Sequence, residues 1–207
     1  MAQYFHIHPE TPQQRLIKQA VLILQEGGVV VYPTDSCYAL ACRIGDREAL
    51  QRIQRLRVLD DRHKLTLACQ DLSVIGRYTR MDNSSFRLVK NLTPGPYTFI
   101  LKASNDVPRW LYHRKRKTIG VRIPDNAIAQ ALLGAINESL LTTSLILPGS
   151  SLPLTDPEEI NTVIGSRVDL VIDGGNGGME PTTIIDLAGP EAVVLREGIG
   201  DVASIGS

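Results

Sequence analysis

The sequence lacks the features that mark membrane and secreted proteins. No apolar run reaches the roughly 18 residues that a membrane-spanning helix needs, and MAQYFHIHPETPQQ at the N-terminus has no basic segment followed by an apolar one, so we expect neither a span nor a signal peptide. Cysteine is scarce: Cys37, Cys42 and Cys69 include no CxxC pair. Because a disulfide would leave one thiol over, the simplest interpretation is reduced thiols in a cytoplasmic protein, and the spacing disfavours a zinc site.

What the sequence does contain is the composition of an ordinary globular domain. Its 207 residues are 43% hydrophobic and 21% charged, which suits a single domain with a buried core. The net charge of zero conceals an asymmetry, because residues 1–122 hold 20 Lys/Arg and 10 Asp/Glu (+10) and residues 123–207 hold 2 and 12 (−10). This predicts either a basic face that meets phosphate or two halves that intermix and neutralise each other.

Alternating helix and strand patterns predict an α/β fold. Thr11 and Pro12 are typical of a helix start and the two glycines at 27–28 of its end, while Asp46 and Asp156 are predicted to cap two more helices. Further helices are predicted at 82–91 and 126–137, and strands at 29–33, 65–69, 97–103, 118–124 and 141–147, with three more in VDLVID, TTIIDL and AVVLRE. The strand-rich end favours one twisted, mixed open sheet with helices on both faces, in a single domain over residues 1–207.

Three small oxygen-bearing residues, Thr34, Asp35 and Ser36, end the apolar strand GGVVVYP. Such residues satisfy backbone amides in turns. They also suit a ligand site, because the carboxyl ends of strands in open α/β sheets face the ligand crevice. The sequence leaves both interpretations open.

Basic residues cluster on and beyond the second predicted helix, where Arg52, Arg55, Arg57, Arg62 and Lys64 fall within 13 residues. A solvated helix face explains such a run. Binding of a polyanion would use the same density, because the planar guanidinium donates two hydrogen bonds to one phosphate.

Polar residues also occur within later strands. Thr142, Thr143 and Ser144 begin a buried strand, where their hydroxyls need backbone carbonyls or a ligand as partners. Arg122 and Arg196 stand in or after apolar runs. Each either faces solvent or, if it faces inward, requires an anion.

Two loops have distinctive compositions. HRKRK (113–117) predicts an exposed basic loop between two strands. DGGNGGMEP (173–181) lacks the Lys-Ser/Thr ending of a phosphate-binding P-loop and runs into a strand, so it is interpreted as a flexible turn. His6, His8 and His113 show no ligand spacing, and no metal site is expected.

Several of these segments together resemble the YrdC-type family: PTDSCYAL, TPGPYTFILKA, TIGVRIP, the TTS of LTTSL, PTTIIDL and LREG, over about residues 12–198. TSLILPG and LTDPEEI resemble its YciO branch. The resemblance implies a large, concave, positively charged cavity, with ATP or AMP, threonine and double-stranded RNA or tRNA as ligands. The better-understood members make threonylcarbamoyl-adenylate from threonine, bicarbonate and ATP for tRNA modification, with Mg²⁺ assisting and no protein-bound metal.

The resemblance, with the basic segments, assigns site residues. The catalytic residues are predicted to be Arg55, Arg57 and Ser144. Substrate and nucleotide binding is predicted for Thr34, Asp35, Ser36, Lys64, Arg122, Thr143, Thr182 and Arg196. RNA binding is predicted for Arg52, Arg62, Arg114, Lys115, Arg116 and Lys117.

The sequence departs from the family pattern at three places. The family's Lys-x-Arg corresponds to RLR (55–57), or Lys64 serves from a shifted position, and Ala39 replaces a glycine. The family's Ser-x-Asn reads SLI, so Ile146 replaces an amide. Losing one such polar group commonly costs about 2.7–4 kcal/mol in the transition state. We therefore expect a nucleotide- and RNA-binding protein with a degenerate catalytic motif, with threonylcarbamoyl-AMP synthase activity as the alternative.

Overall fold

A computed structural model of the chain describes residues 1–59, 65–113, 115–203 and 205. Within these residues, eleven strands form one sheet and six helices pack against it. The strands are β1 (Gln3–His6), β2 (Val30–Tyr32), β3 (Ala39–Arg43), β4 (Thr66–Ala68), β5 (Thr79–Arg80), β6 (Tyr97–Ala103), β7 (Thr118–Arg122), β8 (Leu140–Ser144), β9 (Leu170–Asp173), β10 (Thr183–Asp186) and β11 (Val193–Arg196). The helices are α1 (Gln14–Gln25), α2 (Arg47–Arg57), α3 (Leu72–Tyr78), α4 (Asn83–Leu92), α5 (Ala127–Ile136) and α6 (Pro157–Ile164).

The sheet is mixed, as predicted. Its order is β1-β9-β2-β3-β8-β4-β7-β6-β10-β11, and β5 pairs with β6. β9 is parallel to both β1 and β2, β4 is parallel to β7, and β6 is parallel to β10. The remaining pairs are antiparallel. The order differs from the chain order, so residues far apart in the sequence become neighbours.

Helices lie on both faces of the sheet and divide the core in two. On one face, α1 and α5 pack over alternate strand residues that include Tyr32, Ala41 and Leu140. On the other face, α2, α3, α4 and α6 pack over a larger set that includes Leu40 and Leu67. Because successive residues of a strand point to opposite faces, neighbouring residues such as Leu40 and Ala41 belong to different halves of the core.

Two of the predicted helix caps are confirmed. The carboxylate of Asp46 accepts the backbone N–H of Ala49 at 2.9 Å. The carboxylate of Asp156 accepts that of Glu158, also at 2.9 Å. Each bond satisfies a donor that the first helical turn would otherwise leave without a partner.

The predicted start of α1 at Thr11 is wrong. The helix begins at Gln14, and Gln13 makes no side-chain capping bond. The ring Nδ1 of His8 accepts the backbone N–H groups of Glu10 at 3.3 Å and of Thr11 at 3.1 Å. These bonds hold the segment in a turn that precedes the helix.

Four elements were not predicted from the sequence: β1, β3, α3 and β5. β5 has two residues and α3 has seven, which is too short for a period to show clearly. β1 has no fully buried residue, and β3 is buried at four of its five positions, so neither alternates between buried and exposed residues.

The basic and acidic halves of the chain intermix. Three arginines of the basic half pair with carboxylates of the acidic half: Arg43 with Glu138, Arg52 with Asp169 and Arg116 with Asp186. The neutralising alternative is therefore correct for these three arginines.

The cysteines agree with their predicted reduced state. All three are free and buried. Burial raises the pKa of the Cys42 and Cys69 thiols to about 12, so both stay protonated at neutral pH. No helix in the described ranges is both long enough and apolar enough to cross a bilayer.

The orientation of α1 predicts different costs for two of its leucines, because Leu24 is fully buried and Leu22 is 55% exposed. We expect Leu24→Ala to lower the free energy of unfolding by about 2–5 kcal/mol, since it deletes buried methyl groups and leaves a cavity. Leu22→Ala should change it by less than about 0.5 kcal/mol. Urea denaturation measures both, and equal losses would contradict the orientation of the helix.

Candidate functional site

A cavity of about 330 Å³ opens on the face of the sheet that α1 and α5 cover only in part. Alternate residues of five strands, which share that face, form its floor. These residues are Thr66 of β4, Thr98 and Ile100 of β6, Thr118, Gly120 and Arg122 of β7, Thr142 and Ser144 of β8, and Ile184 of β10 with Thr182 just before it. The floor therefore carries the hydroxyl groups of five threonines and one serine beside two isoleucines.

Four arginines from four different elements line the cavity: Arg57 at the end of α2, Arg116 in the β6–β7 loop, Arg122 in β7 and Arg196 in β11. The inward-facing alternative is thus correct for Arg122, which is only 5% exposed. Arg196 lines the cavity while staying partly exposed.

Arg122 is held by a buried ion pair. Its Nη2 donates to Oδ1 of Asp35, and the two side chains are 6% and 8% exposed. The other carboxylate oxygen of Asp35 accepts the backbone N–H of Asp125 at 2.9 Å. The Nε–H of Arg122 is buried and has no acceptor among the described residues. The ion pair therefore fixes a cation in the cavity wall and leaves one of its donors for a ligand.

The two neighbours of Asp35 both have hydrogen bonds within the turn, and Ser36 also contacts the cavity arginine. The hydroxyl of Thr34 donates to the carbonyl of Cys37 at 2.7 Å and accepts the backbone N–H of Ser36 at 3.2 Å. Thr34 and Ser36 are buried, and neither lines the cavity. The turn alternative holds for Thr34, whereas Asp35 and Ser36 both reach the site through Arg122, whose Nη1 donates to the hydroxyl of Ser36 at 3.5 Å.

The glycine-rich loop packs against this turn, which corrects its interpretation as a flexible turn. A Cβ on Gly178 would lie 2.0 Å from the carbonyl oxygen of Ser36, and one on Gly177 would lie 2.7 Å from the ring of Tyr38. The hydroxyl of Tyr38 donates to the carbonyl of Gly175 at 2.7 Å. The glycines permit a close approach that supports the turn carrying Asp35.

Of the two arginines predicted to be catalytic, the structure brings only Arg57 to the cavity. Residues two apart on an α-helix point about 200° apart, and Arg55 is exposed and outside the lining. The Nε–H of Arg57 is buried without an acceptor among the described residues. Burial also lowers the pKa of the Arg57 guanidinium. A cation removed from water in this way is stabilised by an anionic ligand.

Arg196 and Thr182 form a second polar group at the β10 side of the cavity. Arg196 donates through Nε at 3.1 Å and Nη2 at 2.8 Å to the carbonyl oxygen of Thr182. The hydroxyl of Thr182 lies 2.9 Å from that of Thr98. Within the described chain Arg196 has no carboxylate partner, so its charge is not neutralised by an ion pair.

All three polar residues of β8 line the cavity, and one of them also has a backbone partner. Thr142 donates to the carbonyl of Leu40 at 3.1 Å, so its hydroxyl has a backbone partner. Thr143 and Ser144 line the cavity, and Ile146 lines it close by. The aliphatic side chain that departs from the family pattern therefore contacts the same space as the arginines.

The residues predicted to bind RNA are dispersed. Arg52 donates to Asp169 at 2.8 Å, outside the cavity lining. Lys115 and Lys117 are exposed in the β6–β7 loop, as predicted, while Arg116 lines the cavity. Three predicted residues lie outside the described ones: Arg62, Lys64 and Arg114.

Sequence reasoning missed several lining residues, among them Thr98, His113 and Gly120. For Gly120 the signal was a period of two on β7, since Thr118, Gly120 and Arg122 alternate with the apolar Ile119 and Val121. Such alternation marks a strand with one polar face.

The arrangement suits a ligand with an anionic part and an apolar part. Guanidinium and hydroxyl donors fit phosphate or carboxylate oxygens, and Ile100, Ile184 and Leu195 provide an aliphatic wall. Over the described ranges, no group of three or more His, Cys, Asp or Glu side chains is placed to hold a metal ion. The expected lack of a protein-bound metal stays a prediction.

Comparisons of the whole chain with known proteins identify its family. A model named for Sua5, YciO and YrdC, described as "Telomere recombination", matches residues 22–198. Uncharacterized protein YciO of Escherichia coli K12 is 58% identical over 202 residues, 98% of each chain, and the crystal structure of E. coli YciO superposes with a TM-score of 0.96 over 99% of this chain and 100% of that one, at 57% identity.

More distant relatives have named activities or ligands. A threonylcarbamoyl-AMP synthase of Halorhodospira halophila is 31% identical over 172 residues, 82% of this chain and 89% of its own. P. abyssi Sua5 complexed with L-threonine is 25% identical with a TM-score of 0.86, over 94% of this chain and 57% of that one. The chain therefore belongs to the Sua5/YciO/YrdC family.

Proposed function

We propose that this chain is a cytoplasmic nucleotide- and RNA-binding protein that holds ATP or AMP in the cavity. One observation carries the nucleotide assignment: Arg57 and Arg122 both line the cavity, and each has a buried Nε–H without an acceptor among the described residues. Leaving a buried donor unsatisfied is costly, and most so when the group is charged. Phosphate oxygens provide the acceptors and the opposite charge together.

Different residues of the cavity wall would contact the phosphates and the base of the nucleotide. The phosphates would contact the guanidinium groups of Arg57, Arg122 and Arg196, and the aliphatic residues would contact the base. Mg²⁺, which prefers carboxylate and phosphate oxygens, would enter with the phosphates of ATP. The carboxylates of Asp35 and Asp186 are already engaged by arginines.

The two arginines at the end of α2 test the nucleotide proposal. We expect Arg57→Gln to weaken AMP and ATP binding about tenfold or more, because a hydrogen bond to a charged group contributes about 1.5–3 kcal/mol. Arg55→Gln removes the same charge outside the cavity and should change affinity less than about twofold. Isothermal titration calorimetry measures both.

Thermal unfolding serves as the control, since a bound nucleotide stabilises the folded protein in proportion to ln(1 + [L]/Kd). If neither nucleotide stabilises the wild-type protein at millimolar concentration, the nucleotide assignment is wrong. If Arg55→Gln has the larger effect, the cavity is not the binding site.

The RNA part of the proposal rests on the β6–β7 loop. Lys115 and Lys117 are exposed there. Arg116, which lies between them in the sequence, lines the cavity. Double-stranded RNA or tRNA presents phosphates that such cations contact without reading the sequence.

RNA binding through these contacts should depend strongly on salt. Because each phosphate contact releases counterions, we expect tRNA affinity to fall steeply between about 50 and 200 mM salt. Fluorescence anisotropy with labelled tRNA measures the slope. Absence of binding at about 50 mM salt, or binding that is independent of salt, would contradict the RNA assignment.

Threonylcarbamoyl-AMP synthase activity is the second candidate, favoured by the residues that remain in the cavity. Arg122, Thr143, Thr182 and Arg196 line it, and similar proteins are a threonylcarbamoyl-AMP synthase and a Sua5 complexed with L-threonine. In that reaction the carbamate of threonine attacks the α-phosphorus of ATP, and pyrophosphate leaves. Ile146, which also lines the cavity, is evidence against synthase activity, because a hydrocarbon side chain neither donates nor accepts a hydrogen bond.

Restoring an amide tests this candidate directly. We expect Ile146→Asn to raise pyrophosphate release from ATP, threonine, bicarbonate and Mg²⁺ about tenfold or more, since one preorganised polar group is worth about 10²–10³ in kcat. Ile146→Leu, which keeps the hydrocarbon, is the matched control. If neither the wild-type protein nor Ile146→Asn releases pyrophosphate with any amino acid, this candidate is excluded.

A further inference from the structure

The β6–β7 loop delivers side chains both to the cavity and to the protein surface. His113 and Arg116 line the cavity, while Lys115 and Lys117 are exposed outside it. The four described residues thus place cationic and polar side chains both at the surface and in the lining of the cavity. A loop that bound RNA only at the surface would not need to enter the cavity.

Hydrogen bonds hold the loop in this conformation. The backbone N–H of His113 donates to the carbonyl of Thr118 at 2.8 Å, and that of Lys117 donates to the carbonyl of His113 at 2.6 Å. The N–H of Arg116 donates to Nδ1 of His113 at 3.2 Å, which leaves Nε2–H as the donor of the neutral ring. Asp186 accepts a hydrogen bond from the guanidinium of Arg116. The ion pair with Asp186 therefore holds Arg116 at the mouth of the cavity, where its side chain lines the cavity and stays 51% exposed.

The cavity-facing residues of strand β7 extend from this loop to the floor of the cavity. Thr118, Gly120 and Arg122 follow one another on its cavity face and span about 13 Å at roughly 3.3 Å per residue. Gly120 lies at the middle of this face, where a Cβ would lie 3.1 Å from the hydroxyl of Thr66 and would crowd the floor. A glycine at such a position in a strand commonly marks the close approach of a ligand.

The size of the cavity restricts what part of an RNA can enter. A volume of about 330 Å³ is that of a site for one small ligand, so a duplex cannot occupy it. An RNA that reaches Arg122 must offer one unpaired nucleotide, as loops and single-stranded ends do. Its neighbouring phosphates would then lie at the loop, next to Lys115 and Lys117.

We propose that the cavity takes an unpaired nucleotide of an RNA chain, whose flanking phosphates bind Lys115 and Lys117, so that RNA and free AMP compete for one site. This inference rests on the proposed nucleotide and RNA binding and specifies that the two ligands share Arg116 and the cavity. It also selects RNA with an unpaired nucleotide over a continuous duplex.

Competition binding tests the inference. A fluorescein-labelled oligoadenylate hexamer and a blunt RNA duplex are each bound to the wild-type protein, and AMP is added. We expect AMP to displace the hexamer with an inhibition constant equal to its directly measured Kd, and to leave any duplex binding unchanged. If saturating AMP leaves the hexamer bound, the two ligands use separate sites and the inference is wrong, while the proposed nucleotide and RNA binding stands.

Variants of the loop distinguish the contacts that RNA makes at the protein surface from those that it makes inside the cavity. We expect Lys115→Gln/Lys117→Gln to keep AMP affinity within twofold and to make the salt slope for the hexamer shallower by about 1.4, since each phosphate contact on a single strand contributes about 0.7. Arg116→Gln should weaken both ligands. Arg87→Gln, on the exposed side of α4, should change neither.

Circular dichroism confirms that each variant folds. An unchanged salt slope in the double lysine variant would overturn the assigned contacts of the loop. If the wild-type protein binds neither AMP nor any RNA, the proposed function itself fails, an outcome distinct from separate sites.

Discussion

The buried ion pair between Asp35 and Arg122 is the constraint on which the candidate site depends. Each buried ion loses several kcal/mol of hydration, so removing one partner commonly costs about 3–5 kcal/mol. The pair joins the turn after β2 to strand β7, which are 87 residues apart in the sequence. The glycine-rich loop packs against the same turn, with Gly178 directly on the carbonyl of Ser36. Together these contacts position a guanidinium whose Nε–H has no acceptor within the described protein.

The cavity exists because one sheet face is covered unequally. Over β2, β3 and β9, that face carries apolar residues, and α1 and α5 pack on them. Over β6, β7 and β10 the same face carries threonines, a glycine and an arginine beside two isoleucines. A helix packed there would bury hydroxyls and charge without adequate partners, at a cost that apolar contacts do not recover. The uncovered polar face is therefore consistent with binding an oxygen-rich ligand.

The distribution of charge distinguishes cations that stabilise the fold from those that are available to a ligand. Arg43 and Arg52, outside the cavity, and Arg116 and Arg122, in its lining, are each paired with a carboxylate. Arg57 and Arg196 line the cavity and have no carboxylate partner in the described part of the chain. Ion pairs with the second half of the sequence thus neutralise Arg43, Arg52 and Arg116, whereas Arg57 and Arg196 remain available to an anionic ligand in the cavity.

The sequence by itself determined the α/β class, the mixed sheet, the caps at Asp46 and Asp156 and the exposure of the basic loop, because periodicity, capping and turn chemistry act over a few residues. It also marked Arg122 and Arg196 as arginines in apolar surroundings. It could not decide whether they face inward, nor which of two nearby arginines on α2 reaches the cavity. Those choices depend on strand order, on register and on helix rotation, which bring together residues more than 80 positions apart. Only the tertiary structure decided them, because the burial of a charge depends on everything packed around it.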